Sequence, residues 1–400
     1  MSAADGPRLA FVVQRYGADV NGGAEQAARA LAEHLTALAD VHVITTCARD
    51  YTTWANVYAA GESQVNGVTV HRFPVDRQRD WRRAARRTNR LLHQEHTLAD
   101  EVAWVRAQGP YSSPLLRFVA ESADRFDLFV FVTYVYATTF FGLPLVAHKA
   151  VLLPTAHDEP YLYLPAFIPL FRQPQLIIHL TEPERDLVRR VIGPPLPPQL
   201  LIGLGLDAPA PDPQAPARFR QKYGIEEDFL LYAGRVTEAK NVPQLLDFFH
   251  RYRARHLRPL KLVLLGRAHM SLPAFDDVLP LGFVSEEDKH DAMQAATVFV
   301  MPSAYESLSI VCLEAWHAGT PVLANGACDV LKHQCVQSGG GLYYTSYDEF
   351  QAALNRLLAS ADLRRRLGAA GQAFVRRTYH WPVVRAQYAG ILRTLLPATV

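Results

Sequence analysis

The segment Leu9–Thr45, LAFVVQRYGADVNGGAEQAARALAEHLTALADVHVIT, contains the pattern that decides the fold. It opens with a continuous apolar run, Leu9–Val13, followed by a polar loop with two consecutive glycines. The alanine-rich stretch 24–38 predicts a helix, and Val41–Thr45 predicts a second strand. Strands that are apolar throughout are typical of parallel sheets covered by helices on both faces. The order strand, loop, helix, strand therefore predicts an α/β domain.

The same alternation of strands and helices continues and then restarts in the second half of the chain. Asn66-Gly67 predicts a hairpin, and proline-rich stretches at 193–198 and 209–216 predict a linker between the halves. A chain of 400 residues exceeds what one hydrophobic core usually holds. We therefore predict two Rossmann-like, doubly wound α/β domains, residues 1–200 and a second from residue 201, facing a central ligand-binding cleft. Further predicted strands are Phe129–Val132, Ala150–Leu153, Phe229–Tyr232, Lys261–Leu265, Val298–Val300 and Pro321–Leu323.

The bulk composition is that of an ordinary globular enzyme, with 49% hydrophobic and 20% charged residues. The net charge of +2 argues against a dedicated nucleic-acid-binding protein. The four cysteines form neither a disulfide framework nor a C-x-x-C zinc pair, and no Asp-x-Asp pair stands out as a metal site. Neither a signal peptide nor a membrane-spanning segment is expected. These features predict a reduced, cytoplasmic enzyme.

Two carboxylates occur eight residues apart in PSAYESLSIVCLEAWHAGTPVLA, residues 302–324. Ser309 is suited to cap a helix from Ile310 to about Ala318, which places Glu306 in the preceding loop and Glu314 on the helix. Carboxylates accept paired hydrogen bonds from the vicinal hydroxyls of ribose or hexose, and the N–H groups at a helix N-terminus favour an anion. The alternative is that Glu314 only extends toward solvent or caps a nearby group.

A second polar cluster follows the predicted strand Phe229–Tyr232. In YAGRVTEAKN, residues 232–241, the strand ends at Gly234 and is followed by Arg235 and Lys240. Ligands bind at the carboxyl ends of strands in doubly wound sheets. Two cations there would neutralise a departing diphosphate. The alternative is a pair of solvated loop cations.

In this order, the motifs resemble those of the retaining glycosyltransferases of family 4, the glycosyl transferases group 1 type, which have the GT-B fold. The resemblance extends over essentially the whole chain. It implies that the first domain binds the acceptor, that residues 201–378 bind the donor, and that residues 379–400 form a helix crossing back onto the first domain. It rests on Gly234-Arg235 with Lys240-Asn241, on LGFVSEEDKHDAMQAATVFVMPS (281–303), on the E-x7-E pair with Gly319-Thr-Pro-Val322, and on NGGAE (21–25).

The resemblance also assigns roles to individual residues. Arg235 and Lys240 would hold the donor's diphosphate, Glu306 the donor sugar and Glu314 the ribose. His157, in PTAHDEP, would contact the sugar near its reacting carbon, so His157, Arg235, Lys240 and Glu306 are the expected catalytic residues. The other positions implied at the donor site are Gly22, Gly23, Gly234, Gly282, Phe283, Val284, Ser307, Leu308 and Ser309, with Gly205 and Asp207 at the crossing between domains.

The substrates follow from the same resemblance. It implies a UDP- or GDP-sugar donor, no cofactor and no metal. The acceptor would be a glycan, a lipid-linked molecule or a small molecule in bacterial polysaccharide or glycoconjugate biosynthesis. Aromatic rings can stack on an acceptor sugar, and the acceptor candidates in the N-terminal half are Tyr16, Tyr134, Tyr136 and Asp158.

An arginine-rich stretch predicts a basic helix face, because its arginines recur at three- and four-residue spacing with Trp81 beside them. This face suits anionic lipid headgroups or an acceptor phosphate, which would place the enzyme at the inner face of a membrane. The alternative is a solvated face, or one paired with acidic residues. The arginines are Arg79, Arg82, Arg83, Arg86, Arg87 and Arg90.

Other functions compete with glycosyl transfer. One is a GT-B relative that hydrolyses or epimerises sugar nucleotides, and another is a non-catalytic subunit that binds a sugar nucleotide or glycan. The joint presence of Arg235, Lys240, Glu306, Glu314 and His157 argues against the second, because an inactive copy is free to lose them. Nucleic-acid binding by the arginine helix would depend steeply on salt.

Overall fold

The computed structural model describes residues 6–20 and 22–396, and the chain divides into two compact units. The N-terminal unit runs to Gly205 and also includes the segment from Trp381; the C-terminal unit is Leu206–His380. The expected boundaries, after residues 200 and 378, lie within a few residues of these. In the described part of the chain, no helix is both long enough and apolar enough to cross a membrane.

The N-terminal unit contains an eight-stranded sheet of order β3-β4-β2-β1-β5-β6-β7-β8. All neighbouring strands are parallel except the antiparallel pair β3 and β4. The strands are β1 (Arg8–Val12), β2 (Asp40–Thr46), β3 (Gly61–Val65), β4 (Val68–Phe73), β5 (Leu128–Val132), β6 (Ala150–Leu153), β7 (Leu176–His179) and β8 (Gln199–Leu201). The helices are α1 (Gly23–Leu35), α2 (Trp81–His93), α3 (Leu98–Gln108), α4 (Ser113–Glu121), α5 (Ala137–Gly142), α6 (Phe167–Arg172), α7 (Glu182–Ile192) and, from the end of the chain, α15 (Trp381–Leu395).

The C-terminal unit contains a six-stranded sheet of order β11-β10-β9-β12-β13-β14, in which all neighbouring strands are parallel. The strands are β9 (Asp228–Ala233), β10 (Leu260–Leu265), β11 (Val278–Gly282), β12 (Val298–Met301), β13 (Val322–Asn325) and β14 (Gly341–Tyr344). The helices are α8 (Ala215–Tyr223), α9 (Val242–Arg255), α10 (Glu286–Ala295), α11 (Ile310–His317), α12 (Asp329–Ser338), α13 (Tyr347–Ala359) and α14 (Ala361–Thr378).

Burial explains why these segments form these elements. All five residues of β5 are buried, and burial of a side chain such as Phe129 or Phe131 contributes about 1.5–3 kcal/mol. Helix α1 buries Ala28, Leu31, Ala32 and Leu35, the spacing of a single helix face. The predicted hairpin is confirmed between β3 and β4, where Asn66 and Gly67 both have positive φ, as a type I′ turn requires.

Each sheet has one point, the topological switch point, at which the order in which strands are added changes from one side of the first strand to the other. In the C-terminal unit, the chain runs outward from β9 through β10 to β11 and then continues on the other side of β9 with β12. In the N-terminal unit, the corresponding point lies between β1 and β5. Ligands of doubly wound sheets bind at the carboxyl ends of the strands that flank such a switch point. The topology therefore selects the loops after β9 and β12, and those after β1 and β5, as candidate sites.

Four strands are missing from the sequence prediction. Strands β8, β11 and β14 are short and partly exposed, so they lack a continuous apolar run. Strand β7 is buried and as long as the predicted β6, so its length does not explain the omission. The linker prediction is wrong for 193–198, because this stretch lies between α7 and β8 inside the N-terminal unit. The stretch 209–216 precedes and enters α8, where a proline occupies the first turn.

The last helix, α15, belongs to the N-terminal unit and packs on α1. The ring of Trp381 stacks on His34 with 3.7 Å between ring centroids. Gly205 lies against the same indole, and a Cβ at this position would overlap the ring. Trp381 therefore fixes both the end of the segment that runs to Gly205 and the start of α15.

Candidate functional site

The loops after β9 and β12 meet at the switch point of the C-terminal sheet. Lys240 ends a short 3-10 turn, in which its backbone N–H donates to the side chain of Thr237 at 3.2 Å. Glu306 lies in the loop between β12 and α11. Nζ of Lys240 lies 2.6 Å from Oε1 of Glu306, and the two side chains are 27% and 11% exposed. The structure therefore brings together two residues that are predicted from separate motifs.

One backbone carbonyl group ties these loops together. The carbonyl oxygen of Pro302, directly after β12, accepts from Nδ2 of Asn241 at 3.1 Å and from Nδ2 of Asn325 at 2.9 Å. Asn241 has a φ of +57°, which asparagine tolerates better than most residues. Since Asn241 is the N-cap of α9 and Asn325 ends β13, the two amide donors hold the loops of Lys240 and Glu306 in a defined arrangement.

Gly234 and Arg235 follow β9 directly. Gly234 has a φ of +150°, and Gly266 on the neighbouring strand end has a φ of +126°. A Cβ at Gly266 would overlap the carbonyl oxygen of Gly234, so the two strand ends approach too closely for a larger residue. The carbonyl oxygen of Arg235 accepts from the Tyr232 hydroxyl at 2.8 Å. Burial raises the pKa of Tyr232, so this hydroxyl keeps its proton and remains a donor.

Glu314 is a buried carboxylate with one paired and one unpaired oxygen. Its Oε1 accepts from Nζ of Lys289 at 2.9 Å, while Oε2 has no hydrogen-bond partner among the described residues. Burial raises the pKa of Glu314, and the Lys289 ammonium opposes that rise. Lys289 also lies 2.6 Å from Glu286 on its own helix. Glu314 thus forms an ion pair with Lys289 and still retains one acceptor oxygen without a partner among the described residues.

The N-terminus of α11 lies where the sequence predicts it. Helix α11 begins at Ile310 after Ser309, but the Ser309 side chain makes no capping hydrogen bond, and its buried Oγ has no partner among the described residues. Ser307 and Leu308 are each 8% exposed. The position of the cap is confirmed and the capping hydrogen bond is not formed.

Gly282, Phe283 and Val284 lie at the end of β11. Gly282 has a φ of +70°, and its carbonyl oxygen accepts from the N–H of Gly266 at 2.7 Å. The Phe283 side chain is 70% exposed and Val284 is half-buried. This segment leaves an aromatic ring open to solvent two strands away from the Lys240–Glu306 pair.

The loop between β1 and α1 is closed by an ion pair that the sequence motif only hints at. Glu25 in the first turn of α1 accepts at Oε1 from Nε2 of Gln14 and from Nε of Arg15, both at 2.9 Å. Gly22 precedes the helix, and a Cβ at this position would overlap the Glu25 carboxylate, whereas Gly23 has open space around its Cα. Asn21 of the same motif lies outside the described residues. The polar pair Gln14-Arg15, directly after an apolar strand, is the sequence signal that indicates this contact.

His157 lies in the loop after β6 and is 31% exposed. Its Nδ1 is 3.8 Å from Oε1 of Glu159, and the same oxygen accepts from the Tyr134 hydroxyl at 3.0 Å. Thr133 after β5 and Thr155 after β6 have φ values of +70° and +47°, and the Thr155 hydroxyl donates to that of Thr133 at 3.1 Å. Positive φ in β-branched residues costs about 1–3 kcal/mol each and clusters at functional sites.

The structure changes the list of acceptor candidates. Tyr16 and Tyr134 are each only 1% exposed, so neither ring has a face open to a sugar. Tyr136 is half-buried and lies edge-on to Trp54, with 5.5 Å between centroids. Asp158 accepts from the Tyr163 hydroxyl at 2.6 Å and remains near the surface. Tyr136 and Asp158 therefore remain candidates, while Tyr16 and Tyr134 are core residues.

Residues 217–374, most of the C-terminal unit, match the family described as glycosyl transferases group 1. The C-terminal unit belongs to this family. The chain is 28% identical over 237 residues to alpha-maltose-1-phosphate synthase of Mycobacterium tuberculosis, covering 52% of this chain and 60% of that protein. The aligned regions span between 47% and 60% of the length of the first curated relatives, about half of each.

Solved structures match the chain over nearly its whole length. Sucrose-phosphate synthase from Thermosynechococcus elongatus has a TM-score of 0.73 at 19% identity, covering 98% of this chain and all of that one. HepE from Anabaena, solved with UDP and glucose, has a TM-score of 0.70 at 16% identity, covering 97% of this chain and all of that one. At such identities the likeness concerns the fold, which is GT-B. The predicted fold of two Rossmann-like α/β domains is confirmed.

The basic helix is α2, and one arginine predicted for its basic face lies outside the helix. Arg79 precedes the helix and is only 8% exposed, because its guanidinium donates to the backbone carbonyls of Tyr51, Thr52 and Gln108. Helix α2 instead begins after Asp80, whose side chain accepts from the N–H at position 83. The remaining arginines are exposed on α2, and these are Arg82, Arg83, Arg86, Arg87 and Arg90.

Several residues of the site are absent from the sequence prediction. Lys289 pairs with the predicted Glu314, Glu25 pairs with Arg15 beside the predicted Gly22, and Glu159 lies beside His157. Glu184 holds the backbone next to His157, accepting from the N–H of Ala156 at 2.7 Å. Each of these is an ordinary charged residue in a helix or loop, and only the spatial neighbour makes it part of the site.

Proposed function

We propose that the protein is a retaining glycosyltransferase that moves a sugar from a UDP- or GDP-sugar to a hydroxyl of a glycan, lipid-linked or small-molecule acceptor. The observation that carries the proposal is the Lys240–Glu306 pair at the switch point of the C-terminal sheet. An ammonium beside a carboxylate suits a ligand in which a diphosphate is bonded to a polyhydroxylated sugar. The match to glycosyl transferases group 1 and the fold shared with a UDP-bound structure support it.

In this proposal, each polar residue of the candidate site in the C-terminal unit binds one part of the donor. Lys240 and Arg235 bind the diphosphate, and Glu306 turns from Lys240 to the hydroxyls of the sugar. Glu314 offers its unpaired Oε2 to a ribose hydroxyl. The base lies along the backbone of 282–284, beside the exposed Phe283 ring. The first N–H groups of α11, after Ser307–Ser309, supply a further positive end toward the donor.

The chemical step follows from these contacts. The acceptor hydroxyl oxygen bonds to the anomeric carbon, the bond from that carbon to the diphosphate breaks, and the hydroxyl proton passes to the departing diphosphate. Lys240 and Arg235 stabilise the negative charge that develops on the leaving group. The N-terminal unit supplies the acceptor site, with Tyr136 and Asp158 as candidates, and His157 contacts the transferred sugar.

The exposed arginines of α2 extend the proposal to a membrane partner. They lie beside Trp81, which is 54% exposed and lines a cavity of about 300 Å³ with Ala85, Leu92 and Tyr161. Arginines around an open apolar surface suit a bilayer interface that carries anionic lipids. We place this face at the cytoplasmic side of a membrane.

The decisive experiment measures nucleotide binding and donor turnover in variants of the Lys240–Glu306 pair. Thermal shifts with UDP, GDP, ADP, CDP and TDP identify the nucleotide, because a ligand of the folded state raises its stability. Calorimetry then compares Lys240→Ala, Glu306→Gln and the double variant. Loss of a hydrogen bond to a charged group costs about 1.5–3 kcal/mol, so we expect Lys240→Ala to weaken binding at least about tenfold.

The double variant separates the two effects of losing Lys240. In Lys240→Ala the Glu306 carboxylate loses its partner and repels the diphosphate, whereas the double variant removes that repulsion as well. If the lysine contacts the diphosphate, the double variant stays weak; Lys222→Ala, at an exposed pair, is the control. Wild-type affinity in Lys240→Ala would refute the donor site. Release of UDP from UDP-glucose, or of GDP from GDP-mannose, without any glycosylated product would favour hydrolysis.

A further inference from the structure

Glu184 is a fully buried carboxylate that links two segments of the N-terminal unit. It lies in the first turn of α7 and is 1% exposed. Its Oε2 accepts from the N–H of Leu180 at 2.7 Å, within its own connection. Its Oε1 accepts from the N–H of Ala156 at 2.7 Å, in the loop after the neighbouring strand β6. One side chain thus ties the start of α7 to the residue that precedes His157.

The Glu184 carboxylate binds more backbone N–H groups than an ordinary capping box contains. Thr181 is the N-cap of α7 and accepts from the N–H of Glu184 at 3.4 Å, as such a box requires. The Glu184 carboxylate also accepts from the N–H of Leu180, one residue before the cap, and the backbone N–H of Thr181 acts on the same carboxylate. Its other oxygen, Oε1, binds the N–H of Ala156 in another segment. A glutamate at the start of a helix therefore also connects the segments that follow β6 and β7.

The loop that receives this contact contains a strained residue and is held by further polar contacts. Thr155, next to Ala156, has a positive φ and bonds to Thr133 at the end of β5. On the other side of His157, the N–H of Glu159 donates to the His157 carbonyl oxygen at 2.8 Å. A loop with a strained residue reverts to a relaxed conformation unless its surroundings hold it.

We propose that Glu184 is a positioning residue, whose ionised carboxylate holds the loop after β6 in the conformation that presents His157 to the substrate. The inference rests on the proposed function, in which His157 contacts the transferred sugar. Both carboxylate oxygens are acceptors, and both face backbone N–H donors. A protonated carboxyl or an amide has only one good acceptor oxygen here, so either form releases the N–H of Leu180 or that of Ala156. The loop and the helix start cannot then both be held.

Protonation of Glu184 makes its contact with the loop after β6 depend on pH. Burial raises the pKa of Glu184 to about 7, against the lowering effects of the N–H groups of Leu180, Ala156 and Thr181 and of the His157 side chain. Because the folded-state pKa lies above that of the unfolded chain, ionisation of Glu184 lowers stability as pH rises from about 4.5 to about 7. The carboxylate that holds the loop is therefore present above about pH 7 and costs stability there.

The test compares Glu184→Gln with Glu101→Gln between pH 6 and pH 9. Glu101 is a matched control, since it is also buried, at 2% exposed, and accepts from the N–H of Ala166 at 2.7 Å. Hydrogen exchange of the peptide spanning 150–160 reports on the loop, and nucleotide release from UDP-glucose and GDP-mannose reports on turnover. Since small displacements at a reacting centre cost up to about a hundredfold, we expect Glu184→Gln to lower kcat about tenfold or more with little change in donor KM.

The outcomes separate this inference from the proposed function. Faster exchange at 150–160 in Glu184→Gln, a lower kcat and loss of the rise in wild-type kcat around pH 7 support it, provided that Glu101→Gln shows none of these. Unchanged exchange in that peptide overturns it, as does faster exchange with wild-type kcat. If wild-type protein binds no nucleotide and turns over neither sugar nucleotide, the proposed function fails, while the exchange result still decides whether Glu184 holds the loop.

Discussion

The change Lys289→Met isolates the buried partner of Glu314. Lys289 and Glu314 lie 2.9 Å apart with 20% and 9% of their side chains exposed, so neither charge is well solvated. Removing one partner of a buried ion pair costs about 3–5 kcal/mol, because the other charge is left without compensation. Methionine keeps the length and apolar stem of lysine, so the substitution deletes the charge with little loss of packing.

The pH dependence of this loss has a defined sign. Burial raises the pKa of Glu314, and Lys289 partly opposes the rise, so the variant raises it further. A carboxyl whose folded-state pKa lies above its unfolded-state value destabilises the fold progressively as pH rises above about 4.5. The variant's deficit in unfolding free energy should therefore be smaller at pH 5 than at pH 8.

The assay is urea unfolding followed by circular dichroism at both pH values. The control is Lys222→Met, which deletes a lysine whose Nζ lies 2.7 Å from Asp288 but whose side chain is 55% exposed. Exposed pairs contribute little, because solvent and salt screen them. The reasoning would be refuted if both variants lost the same stability, or if the deficit of Lys289→Met did not change with pH.

Two further predictions concern the backbone of the site and the basic helix. Gly266→Ala forces a Cβ against the adjacent strand end at a φ of +126°, and we expect a loss of at least about 1–3 kcal/mol in urea unfolding; a wild-type midpoint would contradict the close approach. Replacing Arg82 and Arg83 with glutamine should weaken sedimentation with vesicles containing anionic phosphatidylserine, because each basic residue near such a surface contributes about 1 kcal/mol. The same double change at Arg376 and Arg377, exposed arginines of the C-terminal unit, is the control, and equal effects of the two double variants would remove the membrane proposal.

Much of the fold can be predicted from local sequence. Buried parallel strands such as β1, β5 and β10 are apolar throughout, and a hairpin with Asn66-Gly67 needs two positive φ values that these residues tolerate. The edge strands β8 and β14 escape prediction because one side of an edge strand lacks a neighbour and its residues are partly exposed. The proline-rich stretch 193–198 misleads because proline marks a turn inside a domain as well as a boundary between domains.

Some residues of the candidate site can be predicted from the sequence and others cannot. Arg235, Lys240 and Glu306 can be selected from the sequence because they lie in loops that follow apolar strands, and Glu314 because it interrupts an apolar helix. Their partners cannot be selected in this way. Arg79 shares the spacing of the basic face yet is buried, because three backbone carbonyls from other segments surround its guanidinium.

The sequence by itself determined the alternation of strands and helices, the presence of two α/β units and the polar residues at their strand ends, since these depend on neighbours within a few residues. The tertiary structure decided which of those ends meet. Lys240 and Glu306 are 66 residues apart and become a 2.6 Å pair only because β12 returns to the side of β9. Glu184 reaches Ala156 for a similar reason, because β6 and β7 are adjacent in the sheet. Strand order sets these distances, and it is a property of the whole chain.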